Sequence, residues 1–139
     1  MWPFASKPTE KPLSLGQWGE YTAAQVYEKK GYTIASRNEF NRQGLRLGEI
    51  DFIAHTKIDI AFVEVKTRTQ ERDLFGTGFE AVNRFKQQKL LKAVHSFRNR
   101  HSQFNLLRPH IDVCVVLVAS LDRQDFSVKI IENSVEDWN

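Results

Sequence analysis

The sequence predicts an α/β domain in which a central β-hairpin lies within a mixed sheet flanked by helices. Two apolar segments, residues 49–55 and 58–67, are separated by a short turn, which indicates a hairpin. Segments with apolar residues at helical spacing precede and follow this hairpin, and two β-rich segments come last. This order of elements suits a sheet that is covered by helices.

The first helix is predicted for residues 15–30. Ser14, with Gln17 three residues later, matches a capping box, and Gly31 supplies the residue that ends the helix in a left-handed conformation. Before the helix, residues 1–13 carry three prolines among small and charged residues. That composition predicts a loose N-terminal arm.

A β-rich segment at residues 32–40 is expected to run into a basic loop at 41–46, just before the hairpin. After the hairpin, a polar loop with two glycines leads to the longest predicted helix, residues 78–100. Thr77 and Glu80 repeat the capping-box pattern at the start of this helix. Its exposed side is expected to be basic.

Two strands are predicted after the long helix. Residues 111–119 are nearly all apolar and β-branched, as in a strand covered on both faces, and residues 126–131 alternate. We assign all of these elements to a single domain, residues 14–133, with a C-terminal tail at 134–139. A chain of 139 residues has a common single-domain size.

Composition narrows the class of protein. The hydrophobic content of 41% is ordinary, and no apolar run is long enough to cross a bilayer. The lone cysteine, Cys114, and an N-terminus without the layout of a secretory signal indicate the cytoplasm. The net charge of +3 and the pI of 9.1 permit a nucleic-acid partner without requiring one.

Three charged residues, Asp51, Glu64 and Lys66, interrupt the apolar hairpin. Because side chains alternate along a strand, Glu64 and Lys66 share a face. A register that pairs Ile53 with Phe62 also places Asp51 opposite Glu64. Opposed β-carbons are about 5 Å apart, so the two carboxylates repel unless a cation lies between them. Oxygen ligands of this kind suit Mg²⁺ or Mn²⁺.

The same register pairs Phe52 with Val63 and Ile50 with Val65 on the other face, so that every apolar residue meets an apolar partner.

A metal beside a lysine fits phosphodiester hydrolysis, in which the metal activates water and the ammonium stabilises developing charge. The alternative is a surface salt-bridge triad at the end of the sheet, because Glu-x-Lys often occurs by chance.

Several motifs, spread over about residues 14–119, resemble the YraN-like family of bacterial proteins. The motifs are Gly19-Glu20, Ala23-Ala24, Gly31-Tyr32, Arg37-Asn38, the segments 48–54 and 62–68, Glu80-Ala81-Val82 and Lys86. That family is placed in the restriction-endonuclease-like, or PD-(D/E)xK, nuclease superfamily and is similar to archaeal Holliday-junction resolvases. The resemblance implies a restriction-endonuclease-like fold and a metal-dependent nuclease.

The resemblance also implies roles for single residues. Asp51 matches the first acidic residue of the superfamily core, Glu64 the second, and Lys66 the lysine, while Glu20 matches the acidic residue of the first helix. These four are the predicted catalytic residues, and the three acids are the predicted ligands of Mg²⁺ or Mn²⁺. Ile50 stands where the superfamily's name has proline, a departure that is common within it. From the residues alone, a half-exposed helix glutamate is the favoured interpretation of Glu20, and with the resemblance the two interpretations are balanced.

Five basic side chains are candidates for contacts with nucleic-acid phosphates, or are ordinary solvated charges: Arg37, Arg42, Arg46, Arg68 and Lys86. The four histidines show no paired metal-ligand spacing and are interpreted as surface residues. Cys114 lies in an apolar strand, where a thiol behaves as a small hydrophobe. Asp112 is expected to start that strand and to form a salt bridge.

The sequence therefore predicts a Mg²⁺-dependent endonuclease that hydrolyses phosphodiester bonds in DNA and is structure-specific or linked to repair or recombination. Its partner would be branched or single-stranded DNA, and a two-fold homodimer would suit such a substrate. Two alternatives remain. One is a nucleic-acid-binding module that does not cleave, and the other is a protein-interaction domain that uses Trp2 and Phe4 of the arm.

Overall fold

The structure is a computed structural model that describes residues 12–37, 50–69 and 84–132. Its helices are α1 (Leu15–Lys29) and α2 (Arg84–Arg100), with a short 3-10 helix at Ser102–Phe104. Its strands are β1 (Thr33–Arg37), β2 (Phe52–His55), β3 (Asp59–Arg68), β4 (Arg108–Val118) and β5 (Phe126–Ile131). The predicted arm up to residue 11, the loop 41–46, residues 38–40, the start of the long helix at 78–83 and the tail lie outside the described residues.

The five strands form one mixed sheet in the order β1-β2-β3-β4-β5. The central pair, β3 and β4, is parallel, and the other neighbouring pairs are antiparallel. The chain segment that joins the parallel pair contains α2, as a crossover between parallel strands requires. This restriction-endonuclease-like arrangement confirms the predicted fold class. No helix in the described part of the chain has the length and apolar character needed to cross a membrane.

Each face of the sheet is covered by one helix. On one face, α1 packs against side chains of β2, β3 and β4, and the buried members of this cluster are Ala23, Ala24, Tyr27, Phe52, Ala54, Ala61, Val63, Cys114 and Val116. On the other face, α2 packs in a second cluster made of Ile50, Ile53, Ile60, Phe62, Leu90, Ala93, Val94, Phe97 and Ile111. Strands β3 and β4 therefore have apolar side chains on both faces, as predicted for residues 111–119.

The ends of α1 match the sequence signals. The N–H of Gln17 donates to the Ser14 hydroxyl at 3.1 Å, and the N–H of Ser14 donates back to the Gln17 side chain at 3.0 Å. Both hydrogen bonds satisfy backbone donors that a helix start leaves without partners. After the helix, Gly31 takes a φ of 98°, the left-handed conformation expected from sequence.

Helix α1 approaches β3 closely at Gly19. A β-carbon placed on Gly19 would clash with the hydroxyl of Thr67 and would lie 3.0 Å from the Thr67 Cβ. Glycine therefore sets the distance between this helix and the end of β3. Gly16, one turn earlier on α1, has nothing within 4 Å of the same position.

The register of the hairpin is confirmed at Phe52↔Val63 and Ile53↔Phe62, but the predicted partner of Ile50 is wrong. Strand β2 begins at Phe52, and the N–H of Asp51 donates to the carbonyl of Val63 at 2.8 Å. Asp51 and Phe52 therefore both lie against Val63, which ends the regular alternation. Ile50 consequently packs with the α2 cluster instead of facing Val65.

Strand β4 starts at Arg108, three residues before the predicted 111, which places Asp112 inside the strand. The interpretation of His110 as a surface residue is wrong, because this side chain is buried. Asp112 is fully buried and receives two short hydrogen bonds: the Tyr27 hydroxyl donates to Oδ2 at 2.6 Å, and Nδ1 of His110 lies 2.6 Å from Oδ1. The network ties α1 to β4 through the core.

Burial and the nearby carboxylate shift the pKa values of this network. Burial, followed by the charge and hydrogen bond of Asp112, raises the pKa of Tyr27, so its phenol stays protonated and donates. Burial, with a smaller effect of Asp112, raises the pKa of Cys114 to about 12, so the thiol is un-ionised, as a small hydrophobe would be. For His110, burial lowers the pKa, but the hydrogen bond and charge of Asp112, with smaller contributions from Glu132 and Asp59, raise it overall.

The close approach of α1 predicts that Gly19→Ala destabilises the protein. Overpacking of this kind typically costs about 1–3 kcal/mol of unfolding free energy. Urea unfolding should show this loss for Gly19→Ala and none for the matched Gly16→Ala. Adding Thr67→Ala to Gly19→Ala removes the clashing groups and should recover part of the loss. Equal stability of Gly19→Ala and wild type would contradict the close approach.

The raised pKa of His110 predicts that the protein loses stability as the pH rises. A group whose pKa is higher in the folded state stabilises fully below its ordinary value, here 6.5, and the contribution is lost as pH passes through the raised pKa. Urea unfolding between pH 5.5 and 8.5 should therefore show a decline, and His110→Asn should flatten it. An identical pH dependence in the two proteins would show that the imidazole does not gain protons on folding.

Candidate active site

Two of the predicted site residues, Glu64 and Lys66, lie next to each other on one face of β3. Successive side chains of β3 alternate between the two clusters, with Val63 on the α1 face and Phe62 on the α2 face. Glu64 and Lys66 are therefore on the α2 face, beyond the apolar part of the strand. The Glu64 side chain is 4% exposed, and its Oε1 lies 3.4 Å from the Lys66 Nζ, whose side chain is 19% exposed.

Asp51 is fixed beside Glu64 by two hydrogen bonds to the backbone of β3. Its N–H donates to the carbonyl of Val63 at 2.8 Å, and its Oδ2 accepts from the N–H of Val65 at 2.7 Å. These two backbone groups flank Glu64 and point towards β2. The side chain of Asp51 thus supplies the next acceptor of the β2–β3 hydrogen-bond ladder, beyond the point where the backbone of β2 stops pairing with β3. Asp51 therefore lies against the backbone on both sides of Glu64, but it is not the regular cross-strand partner of Glu64 that was predicted.

Both carboxylates are buried, with residue exposures of 7% for Asp51 and 3% for Glu64. Buried carboxylates are costly unless cations and hydrogen-bond donors compensate them. Here the compensating groups include the Val65 N–H and the Lys66 ammonium. The site therefore combines two carboxylates of the kind that Mg²⁺ prefers with one partly exposed positive charge.

Within residues 12–37, 50–69 and 84–132, no group of three or more His, Cys, Asp and Glu side chains forms a cluster that could hold a metal ion. Glu20 lies on α1, directly after Gly19, on the face of the sheet opposite to Glu64. It is half-buried, and its charge acts on Arg37 at the end of β1. Burial lowers the pKa of Arg37, and Glu20 opposes that effect. The role of Glu20 as a metal ligand stays a prediction.

The candidate phosphate-binding residues fall into two groups. Arg37 and Arg68 are half-buried at the ends of β1 and β3, at the end of the sheet where Glu64 and Lys66 lie, and an N–H of Arg68 donates to the Thr67 carbonyl at 3.0 Å. Arg42 and Arg46 lie outside the described residues, as does the side chain of Lys86.

Sequence reasoning missed three features around this site: the bond from Val65 to Asp51, the contact of Gly19 with Thr67, and the network at Asp112. The first holds Asp51 at the end of β3, and the second sets how closely α1 approaches that end. A signal for the second was present, because Gly19 belongs to the small-residue stripe that continues through Ala23 and Ala24.

The mixed sheet with one helix on each face, and a carboxylate–lysine cluster at the end of its hairpin, define a restriction-endonuclease-like α/β protein. The chain belongs to the uncharacterised protein family UPF0102, whose family model matches residues 19–116. This is the YraN family, so the resemblance seen in the motifs is confirmed.

Individual relatives carry the same family name. A UPF0102 protein of Caldanaerobacter subterraneus subsp. tengcongensis is 43% identical over 103 residues, which cover 74% of this chain and 79% of the relative. A UPF0102 protein of Clostridium botulinum is 35% identical over 122 residues, 88% of this chain and 94% of the relative. One from Alkaliphilus metalliredigens is 42% identical over 92 residues, 66% and 75% of the two chains.

The hydrogen bond from Val65 predicts different stabilities for two substitutions of Asp51. Asp51→Asn keeps an oxygen that can accept this bond, whereas Asp51→Ala leaves a backbone donor without its acceptor. Losing the partner of a buried donor typically costs about 1–3 kcal/mol. Urea unfolding should show that loss for Asp51→Ala and a clearly smaller one for Asp51→Asn. Equal losses would mean that the carboxylate does not stabilise the end of the hairpin.

Proposed function

We propose that this protein is a Mg²⁺-dependent endonuclease that hydrolyses phosphodiester bonds in DNA. The observation that carries the proposal is a pair of buried carboxylates at one end of β3. Asp51 is bonded to the backbone on both sides of Glu64, and Glu64 is paired with the ammonium of Lys66. Such a costly cluster at the open end of a hairpin is typical of a functional site.

The donor set fits Mg²⁺ or Mn²⁺, and Asp51 and Glu64 are the residues that would hold the ion. Mg²⁺ is commonly bound by one or two protein carboxylates, with water and substrate phosphate completing its shell, so a third protein ligand is not required. When bound, the ion would polarise the phosphate and lower the pKa of a water ligand. Glu20, if it contributes, would act as an accessory acid.

Side chains of the protein would orient the carboxylates, stabilise charge and bind phosphates. The hydrogen bond from Val65 keeps the Asp51 carboxylate oriented, and the ammonium of Lys66 lies 3.4 Å from Oε1 of the buried Glu64. The Lys66 ammonium, partly exposed, can hold the attacking water or stabilise charge that develops on the phosphate. Arg37 and Arg68, at the same end of the sheet, would contact the neighbouring phosphates, and Arg42, Arg46 and Lys86 are further candidates.

The proposed substrate is branched or single-stranded DNA, as in repair or recombination, and a two-fold homodimer would suit a branched junction. The cytoplasm is the proposed compartment, and the single buried thiol of Cys114 is compatible with reducing conditions.

The test is cleavage of labelled branched, single-stranded and duplex DNA with Mg²⁺ or Mn²⁺. Wild type should cleave, and EDTA should abolish cleavage. Asp51→Asn, Glu64→Gln and Lys66→Gln should each lower the rate about 100-fold or more, because each removes a group that acts on the reacting phosphate. Circular dichroism should confirm that the variants fold.

Glu28→Gln serves as the matched control, because Glu28 is an exposed carboxylate of α1 remote from the site. It should cleave like wild type. Cleavage that survives all three site substitutions would reveal a contaminating nuclease and overturn the proposal. Salt-dependent DNA binding without cleavage by wild type would instead identify a nucleic-acid-binding module.

A further inference from the structure

A second candidate site lies at the other end of β3, around the turn of the hairpin. A cavity of about 700 Å³ opens there between the turn, the start of β1 and the segment after α2. Its volume falls within the range of small-molecule sites. Eight residues separate Ile58 of the cavity from Lys66, which corresponds to roughly 26 Å along an extended strand. The cavity is therefore separate from the carboxylate site.

The lining combines rings, apolar side chains and polar groups. The rings of His55 and Phe104 have their centroids 5.0 Å apart, and Ile58 and Leu107 add aliphatic walls. Ile58 is 67% exposed, so its side chain is accessible to a ligand in the cavity. The amide of Gln103 supplies both a donor and an acceptor at the rim. This combination suits a flat heteroaromatic ligand with polar edges.

The chain segments around the cavity carry more basic than acidic side chains. The three segments that contribute lining residues, 28–33, 55–59 and 98–108, carry six basic and two acidic side chains, an excess of four, whereas the whole chain has a net charge of +3. The basic ones are Lys29, Lys30, Lys57, Arg98, Arg100 and Arg108, and the acidic ones are Glu28 and Asp59. Asp59 pairs with Arg108 at 2.8 Å. Lys57 lines the cavity and is exposed, so it can meet an anionic group.

We propose that this cavity binds a nucleotide, with the base against Phe104 and His55 and the phosphate at Lys57. Stacking rings, an amide at the rim and a cation together match the three parts of a nucleotide. The nucleotide is either free or an unpaired unit of a nucleic-acid strand, since the faces of bases inside a duplex are covered by their neighbours. The inference does not rest on the proposed cleavage.

Fluorescence of 2-aminopurine, which is quenched on stacking, tests the proposal in EDTA, where metal-dependent cleavage cannot occur. The probes are 2-aminopurine deoxyribonucleoside monophosphate and a single-stranded oligonucleotide that contains one 2-aminopurine. Quenching that saturates is expected with at least one probe. Tight binding of both indicates a free nucleotide as ligand, and binding of the strand alone indicates an unpaired unit of a strand.

Two substitutions locate the binding. Phe104→Leu keeps an apolar side chain but removes the ring, and should weaken binding about 5- to 100-fold, the usual range for one stacked base, while Phe104→Tyr should bind like wild type. Lys57→Ala should weaken binding most at low salt. Lys92→Ala makes the same charge change on an exposed part of α2 and should have a much smaller effect.

Absence of saturable quenching with both probes would overturn the proposal. The proposal would also be overturned if Lys57→Ala weakened binding no more than Lys92→Ala does. Because the Lys57 side chain is exposed, its removal should leave the fold intact. Binding is measured in EDTA and does not depend on cleavage. A protein that binds here but does not cleave would therefore retain this inference and lose the proposed nuclease.

Discussion

The side chain of Asp51 is the constraint on which the candidate site depends. In a regular hairpin the backbone of β2 would have supplied the acceptor for the Val65 N–H, but the chain leaves the strand at this point, and the Asp51 carboxylate takes over that bond. The departure has two consequences. It turns Ile50 towards α2, and it holds a carboxylate against the backbone that carries Glu64. A charge that would otherwise be costly in the core thus has a structural reason to be there.

The rest of the fold keeps this end of the hairpin rigid. The contact between Gly19 and Thr67, the residue after Lys66, fixes the distance between α1 and β3. Further along the same helix, the Tyr27 hydroxyl is bonded to the buried Asp112 of β4. Helix α1 is therefore held to both central strands, and the residues at the end of β3 cannot shift without disturbing a close-packed interface. Catalytic groups need placement of this precision.

Much of this could be predicted because the signals are local or periodic. Ser14 and Gln17 are three residues apart, which is all that a capping box requires, and Gly31 needs only its own backbone freedom. The register of the hairpin follows from alternation, since a slip by one residue would turn Asp51 to the face that carries Val63 and Val65. The register is regular as far as Phe52↔Val63, so the sequence could predict that Asp51 lies near the end of β3 that carries Glu64.

What could not be predicted depends on contacts between residues that are far apart in the chain. His110 has no local feature that distinguishes it from an exposed histidine; only its position in β4, opposite Tyr27 of α1, buries it beside Asp112. The apolar pattern predicts a strand that begins at Ile111, because Arg108 and Pro109 break the pattern. In the structure Arg108 is already in the strand, where it pairs with Asp59 of the parallel neighbour. The end of β2 next to Asp51 could not be predicted for a related reason. In the sequence, an aspartate whose side chain replaces a backbone acceptor looks the same as an aspartate within the strand.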